Sequence, residues 1–164
     1  MAIFTCGLKT PIGDMVAAGD GEAISGVWFA GQKYFPDTKE WVKAEDFTVF
    51  LVLQKWLDGY FKGEARSLPD IKLAPIGSPF QQKVWNILRQ IEYGQSTTYG
   101  KIAQILAYES NAKMSSQAVG GAVGRNPISI LIPCHRVLGA DGSLTGYAGG
   151  VDKKLYLLKL EGAR

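Results

Sequence analysis

The sequence predicts an α+β chain in two parts, a small antiparallel sheet with a covering helix followed by a mainly helical segment. Three observations lead there. Short β-prone runs separated by turn residues fill the first 30 positions, the apolar period turns helical between Val42 and Phe61, and a capping sequence at Ser78 opens a series of short helices.

The β-prone runs are Ile3 to Leu8, Met15 to Ala18 and Ala23 to Phe29, divided by Thr10-Pro11-Ile12-Gly13 and Gly19-Asp20-Gly21. Both dividers have turn chemistry, so the runs read as an antiparallel meander. Between Val42 and Phe61, the residues Phe47, Phe50, Leu51, Leu57, Tyr60 and Phe61 fall near one helical face that would cover the sheet. Ser67 to Pro75 has two prolines and no helical period, and reads as an extended connection. The domain boundary is set there, giving 1–76 as an N-terminal α/β structural domain and 77–164 as a second domain.

Ser78-Pro79-Phe80-Gln81 combines an N-cap serine, proline at the first helical position and glutamine at the third, a capping box. Phe80, Val84, Ile87, Leu88 and Ile91 continue with helical spacing. A second helix follows Thr98, from Tyr99 to about Ala107, and a third runs from about Ser115 to Gly124. The third is made of small residues that permit close approach to another surface, and the pair suggests a helix-turn-helix across a connection of Tyr108 to Met114. Ile128 to Ile132 reads as a buried strand ending at Pro133. Thr145 to Gly150 is a glycine-rich loop, and Asp152 is expected to cap a last helix with Leu155, Leu157 and Leu158 inward, stopping at Gly162.

With 46% hydrophobic and 20% charged residues, the chain is neither disordered nor collagenous nor a coiled coil. No apolar run approaches the roughly 20 residues of a membrane span, and the N-terminus lacks the pattern of a secretory signal. Two cysteines and one histidine cannot close a structural zinc site, so no metal is expected, and Cys6 and Cys134 read as free thiols in a reducing cytoplasm. Residues 1–76 carry a net charge of −2 and residues 77–164 a net +5, a hint that the second part meets a polyanion.

Cys134 adjoins the single histidine in Pro133-Cys134-His135-Arg136-Val137. A random Cys-His pair is more often a buried thiol beside a satisfied imidazole. Here the pair follows a rigid apolar run, Arg136 adds positive charge and a glycine-rich loop follows, which favours an activated thiolate. Neighbouring side chains of an extended segment point to opposite faces, so thiol and imidazole can cooperate only through a helical turn or a bridging water. A cysteine hydrolase, whose histidine lies far along the chain, does not fit.

This string, with Gly120-Gly121 and Arg125-Asn126-Pro127 before it and Thr145-Gly146-Tyr147-Ala148-Gly149-Gly150 and Glu161-Gly162 after it, resembles the O6-alkylguanine-DNA alkyltransferases over Ser78 to Gly162. The resemblance implies an RNase H-like N-terminal domain and a winged helix-turn-helix C-terminal domain that binds DNA and accepts the alkyl group. It implies a repair protein that moves an alkyl group from O6-alkylguanine irreversibly to Cys134, once per molecule, with O4-alkylthymine as a candidate second substrate. His135 would be the general base through a water, Glu161 its partner, Tyr99 a donor to ring N3 and Asn126 a support of the active-site segment. Val137, Tyr147, Ala148 and Gly149 would receive the base. Thr98, Ser115, Ser116, Gln117, Ala118, Gly121, Arg125 and Arg136 would meet DNA.

Many members carry arginine where this chain has Gln117; glutamine can bond an orphaned base but lacks the charged plane. The implied partner is double-stranded DNA carrying the lesion, with no cofactor, no membrane, no obligate protein partner and a monomeric, cytoplasmic state. A non-catalytic reader of alkylated bases is the alternative. A helix-turn-helix regulator is disfavoured because the glycine-rich helix has few base-reading side chains.

Overall fold

A computed structural model describes residues 2–164. The chain forms two compact units, one comprising the residues up to Ile76 together with Pro127–Ser129, the other Gly77–Asn126 and Ile130–Arg164.

The first unit is built on the expected meander. β1 (Phe4–Leu8), β2 (Met15–Gly19) and β3 (Ala23–Phe29) pair antiparallel, with Cys6 opposite Ala17 and Ala17 opposite Val27. Two-residue strands add in parallel at the edges, β4 (Val42–Lys43) on β1 and β5 (Lys72–Leu73) on β3, giving the order β4-β1-β2-β3-β5. α1 (Thr48–Phe61) therefore starts later than the periodicity predicts, because Val42 and Lys43 pair with β1. Its Val49, Phe50, Leu53, Leu57 and Tyr60 are buried, whereas Leu51 is 56% exposed and leaves the inward face. The Gln54 amide clasps the Lys9 main chain on both sides, accepting from its N–H at 2.9 Å and donating to its carbonyl at 3.0 Å.

Ile128 to Ile132 is not a strand. Only Ile128 bridges Val27, through Val27 N–H to the Pro127 carbonyl (2.8 Å) and Ser129 N–H to the Val27 carbonyl (2.9 Å), and the chain then turns. The turn passes through Ile130 at φ 70°, a left-handed conformation that a β-branched residue adopts only at a cost in backbone strain. Its apolar side chains are all buried, so the run announced burial correctly and strand incorrectly.

In the second unit, α2 (Pro79–Leu88) has the full capping box. Ser78 Oγ accepts from Gln81 N–H at 3.1 Å, and the Gln81 side chain accepts from Ser78 N–H at 2.9 Å. β6 (Thr97–Thr98) leads into α3 (Tyr99–Ser110), which Thr98 caps, and α4 (Ser116–Gly124) is capped by Ser115. α3 runs past Ala107 to Ser110 and ends at Asn111 in the left-handed region (φ 52°), which shortens the connection to residues 111–115. Trp85 Nε1 ties α2 to α4 by donating to the Ala122 carbonyl at 2.9 Å. A single 3₁₀ turn (Cys134–Arg136) precedes β7 (Val137–Leu138), which pairs in parallel with β6.

α5 (Val151–Leu160) begins two residues earlier than expected, with Gly150 rather than Asp152 at the N-cap. Gly150 takes φ 105°, which glycine alone adopts freely, and Asp152 instead sits in the first turn, where its charge favours the helix dipole. Leu155 is only half-buried, and the inward row is Lys154, Leu157 and Leu158.

Candidate active site

The thiol is set by backbone geometry just before it. Pro133, its φ limited by its ring, stands at φ −83°, ψ 66°, an inverse γ-turn that Cys134 N–H closes on the Ile132 carbonyl at 2.8 Å. Asn126 Nδ2 donates to that same carbonyl at 2.7 Å. The following 3₁₀ turn removes the opposite-face arrangement of an extended chain and buries Cys134, His135 and Arg136 together.

His135, fully buried, pairs through Nε2 with Glu161 Oε2 at 2.8 Å. With an ionised carboxylate as partner, Nε2 carries the proton and donates it, so Nδ1 holds the lone pair. Nδ1 is buried and makes no hydrogen bond to the protein, which makes it the basic atom of the site. Burial lowers the pKa of His135 below its usual value, and the bond to Glu161 only partly opposes this, so the imidazole is neutral at pH 7. Burial likewise raises the Cys134 thiol, against a hydrogen bond with the Asn126 side chain and the charge of Lys154. The resting pair is thus thiol and neutral imidazole, and a proton must leave as the sulfur reacts.

Glu161 lies at the C-terminal end of α5, an unfavourable place for a negative charge by itself. Arg136 answers it with a two-pronged bond, Nε to Oε1 at 2.7 Å and Nη2 to Oε2 at 2.9 Å, while Nη1 donates to the Ile91 carbonyl. The guanidinium also lies 5.9 Å from the centre of the Tyr93 ring. This corrects the assignment of Arg136 to the DNA surface and its role beside the thiol. Its side chain is turned inward as the counter-ion of Glu161, because a buried carboxylate needs a paired cation.

Tyr99, in the first turn of α3, receives a hydrogen bond from Thr145 Oγ1 at 2.8 Å, and burial raises its pKa so that the phenol stays protonated. Its ring lies against Gly120 of α4, where an added Cβ would stand 3.8 Å from Cδ1. Val137 is buried in β7, and Tyr147, Ala148 and Gly149 are half-buried in the loop before α5, where Gly150 N–H bonds the Tyr147 carbonyl at 2.9 Å. Ser115, Ser116, Gln117, Ala118, Gly121 and Arg125 are all exposed, whereas Val119, Ala122 and Val123 are buried. α4 thereby presents the small residues Ser116, Ala118 and Gly121 to solvent together with Gln117, with Arg125 just past its end. Thr98 is half-buried, and its hydroxyl caps α3.

Two residues were missed by the sequence reading. Lys154 is fully buried, donates to the Thr145 carbonyl at 3.3 Å and stands 6.0 Å from the centre of the Tyr99 ring. Its place three and four residues before Leu157 and Leu158, on the inward row, was the available signal. Thr145 gave none. Among the described residues, no group of three His, Cys, Asp or Glu side chains is placed to hold a metal.

The family profile described as "6-O-methylguanine DNA methyltransferase, DNA binding domain" matches residues 79–163, a span that contains every one of these side chains. A methylated-DNA–protein-cysteine methyltransferase of Methanosarcina acetivorans is 49% identical, covering 94% of this chain and 96% of that protein. Its counterpart from Haemophilus influenzae is 42% identical over 98% of this chain and 87% of its own length.

The chain belongs to the methylated-DNA–protein-cysteine methyltransferase family.

Its α+β architecture agrees with this membership. The crystal structure of the Mycobacterium tuberculosis O6-methylguanine methyltransferase superposes with a TM-score of 0.86 at 38% identity, covering 99% of this chain and 94% of that one. The OGT of the same organism in complex with DNA gives the same score at 37% identity, covering 98% and 93%. In this chain the buried ion pair of Arg136 and Glu161 is made from the same 3₁₀ turn that carries Cys134 and His135.

Proposed function

We propose that this protein repairs DNA by moving an alkyl group from O6 of guanine to its own Cys134, one group per molecule. The observation that carries this reading is the buried Cys134–His135 turn, with the imidazole held by Glu161 so that Nδ1 is its free base. The Cys134 proton passes through a water to Nδ1 as the Sγ–C bond forms and the C–O6 bond breaks. The electron pair remains on guanine, where a hydrogen bond from Tyr99 at N3 meets the developing charge. The proton taken up by His135 returns to the base through solvent. The thioether left on Cys134 has no labile leaving group, so the protein is consumed.

An alkyl group inside a duplex is out of reach of a buried thiol, so the nucleotide is flipped out. The exposed face of α4, formed by Ser116, Gln117, Ala118, Gly121 and Arg125 and approached by Ser115 and Thr98, lies in the minor groove, where small side chains allow close contact. Binding there is largely sequence-independent and weakens with salt. The flipped base rests against the main chain of Val137 and the loop of Tyr147, Ala148 and Gly149, with Asn126 holding the active-site turn. We read residues 1–76 as an RNase H-like structural domain and residues 77–164 as a winged helix-turn-helix domain. We also read the protein as a monomer and as cytoplasmic, the two free, buried thiols fitting a reducing compartment.

Incubation with duplex carrying O6-methylguanine, followed by peptide mass mapping, tests the proposal. One methyl on the Cys134 peptide, saturating at one per molecule and absent in Cys134→Ala, is the expected result. Tight lesion binding with Cys134 unmodified would refute it and make the protein a reader of damage.

A further inference from the structure

Thr145 has no part in the transfer steps above and Lys154 enters the site only as a charge acting on Cys134, yet both bear on Tyr99. Thr145 Oγ1 donates to the phenol oxygen at 2.8 Å, and the buried Lys154 ammonium donates to the Thr145 main-chain oxygen at 3.3 Å. Three separate elements therefore meet at Thr145: the first turn of α3 at its hydroxyl, α5 at its carbonyl, and the start of the glycine-rich loop that carries it.

We propose that Thr145 is a positioning residue for Tyr99, donating its own O–H to the phenol oxygen so that the Tyr99 proton is left to the flipped base, with Lys154 holding Thr145 through its carbonyl. This rests on the reading of Tyr99 as a donor to guanine N3.

A phenol has one proton to give and lone pairs to receive. When the hydroxyl of Thr145 occupies a lone pair, the Tyr99 proton can no longer turn towards Thr145 and is available elsewhere. Donation into the phenol oxygen also polarises its O–H and strengthens the bond it makes onward. Two opposing influences on the phenol suit this use: burial keeps it protonated, as a donor must be, and the bond from Thr145 favours negative charge on its oxygen. Lysine is a donor without acceptor capacity, so Lys154 can grip the Thr145 carbonyl without competing for its hydroxyl. Thr145 also opens the loop carrying Tyr147, Ala148 and Gly149, so the same bond ties that loop to the Tyr99 end of α3.

Thr145→Val keeps the shape and removes the hydroxyl, and Thr145→Ser keeps the hydroxyl. Single-turnover transfer from O6-methylguanine duplex is measured for both, in the native and the Tyr99→Phe backgrounds, with the limiting rate separated from half-saturation. Thr145→Val is expected to lower the limiting rate by about three- to tenfold, the worth of one hydrogen bond, without moving half-saturation. Thr145→Ser restores the rate, and Thr145→Val adds no further loss in the Tyr99→Phe background. A native rate in Thr145→Val, no rescue by serine, or an equal loss in both backgrounds overturns the proposal. Absence of transfer by the unsubstituted protein would instead overturn the reading beneath it.

Discussion

Lys154→Met exposes a conflict between stability and chemistry in one side chain. Burial pulls the pKa of Lys154 from an ordinary 10.5 down to about 8, with Cys134 acting weakly the other way. At about 1.4 kcal/mol per pH unit, that displacement means the charged lysine costs the fold about 3 kcal/mol at pH 7. Methionine has similar length and no charge, so it removes that cost, while the half-buried Thr145 carbonyl loses its ammonium donor at about 1 kcal/mol. Urea unfolding at pH 7 should find the variant more stable by about 2 kcal/mol. Between pH 8 and 10.5 the unfolded chain binds more protons than the folded one, so native stability rises with pH and the difference closes. Transfer to Cys134 slows over the same comparison, because the cation that favours the thiolate is gone. A variant less stable at pH 7, or a difference that widens from pH 8 upward, would refute the reasoning.

Arg136→Met strands the Glu161 carboxylate in the interior and should cost ~3–5 kcal/mol in urea unfolding. Its DNA affinity should keep the native salt slope, whereas a slope shallower by about one would return Arg136 to the phosphate surface. Because burial holds His135 below the usual 6.5, its neutral form persists as pH falls through that value, and the transfer rate should decline only at lower pH. A rate already halved at pH 6.5 would contradict the neutral imidazole. Gln117→Arg adds a charged plane to the exposed face of α4 and should speed transfer from duplex; equal rates in a stopped time course would remove Gln117 from the flipping step.

How much of this was legible beforehand differs from residue to residue, for a physical reason. The capping box of α2, the start of α3 after Thr98 and the strand Ala23–Phe29 rest on local patterns within a few residues, so the sequence by itself determined them. The motif around Cys134 and His135 was equally plain. β4 and β5 are two residues each and exist only because β1 and β3 offer an edge, which no local pattern encodes. Ile128 to Ile132 announced burial, but a bridge to Val27 and a left-handed Ile130, not strand propensity, decided its path. Arg136 and Glu161 are 25 residues apart, and Lys154 reaches Thr145 across the turn into α5. Where those charges point was decided by the tertiary structure alone, because a buried charge goes to whichever partner the fold brings within reach.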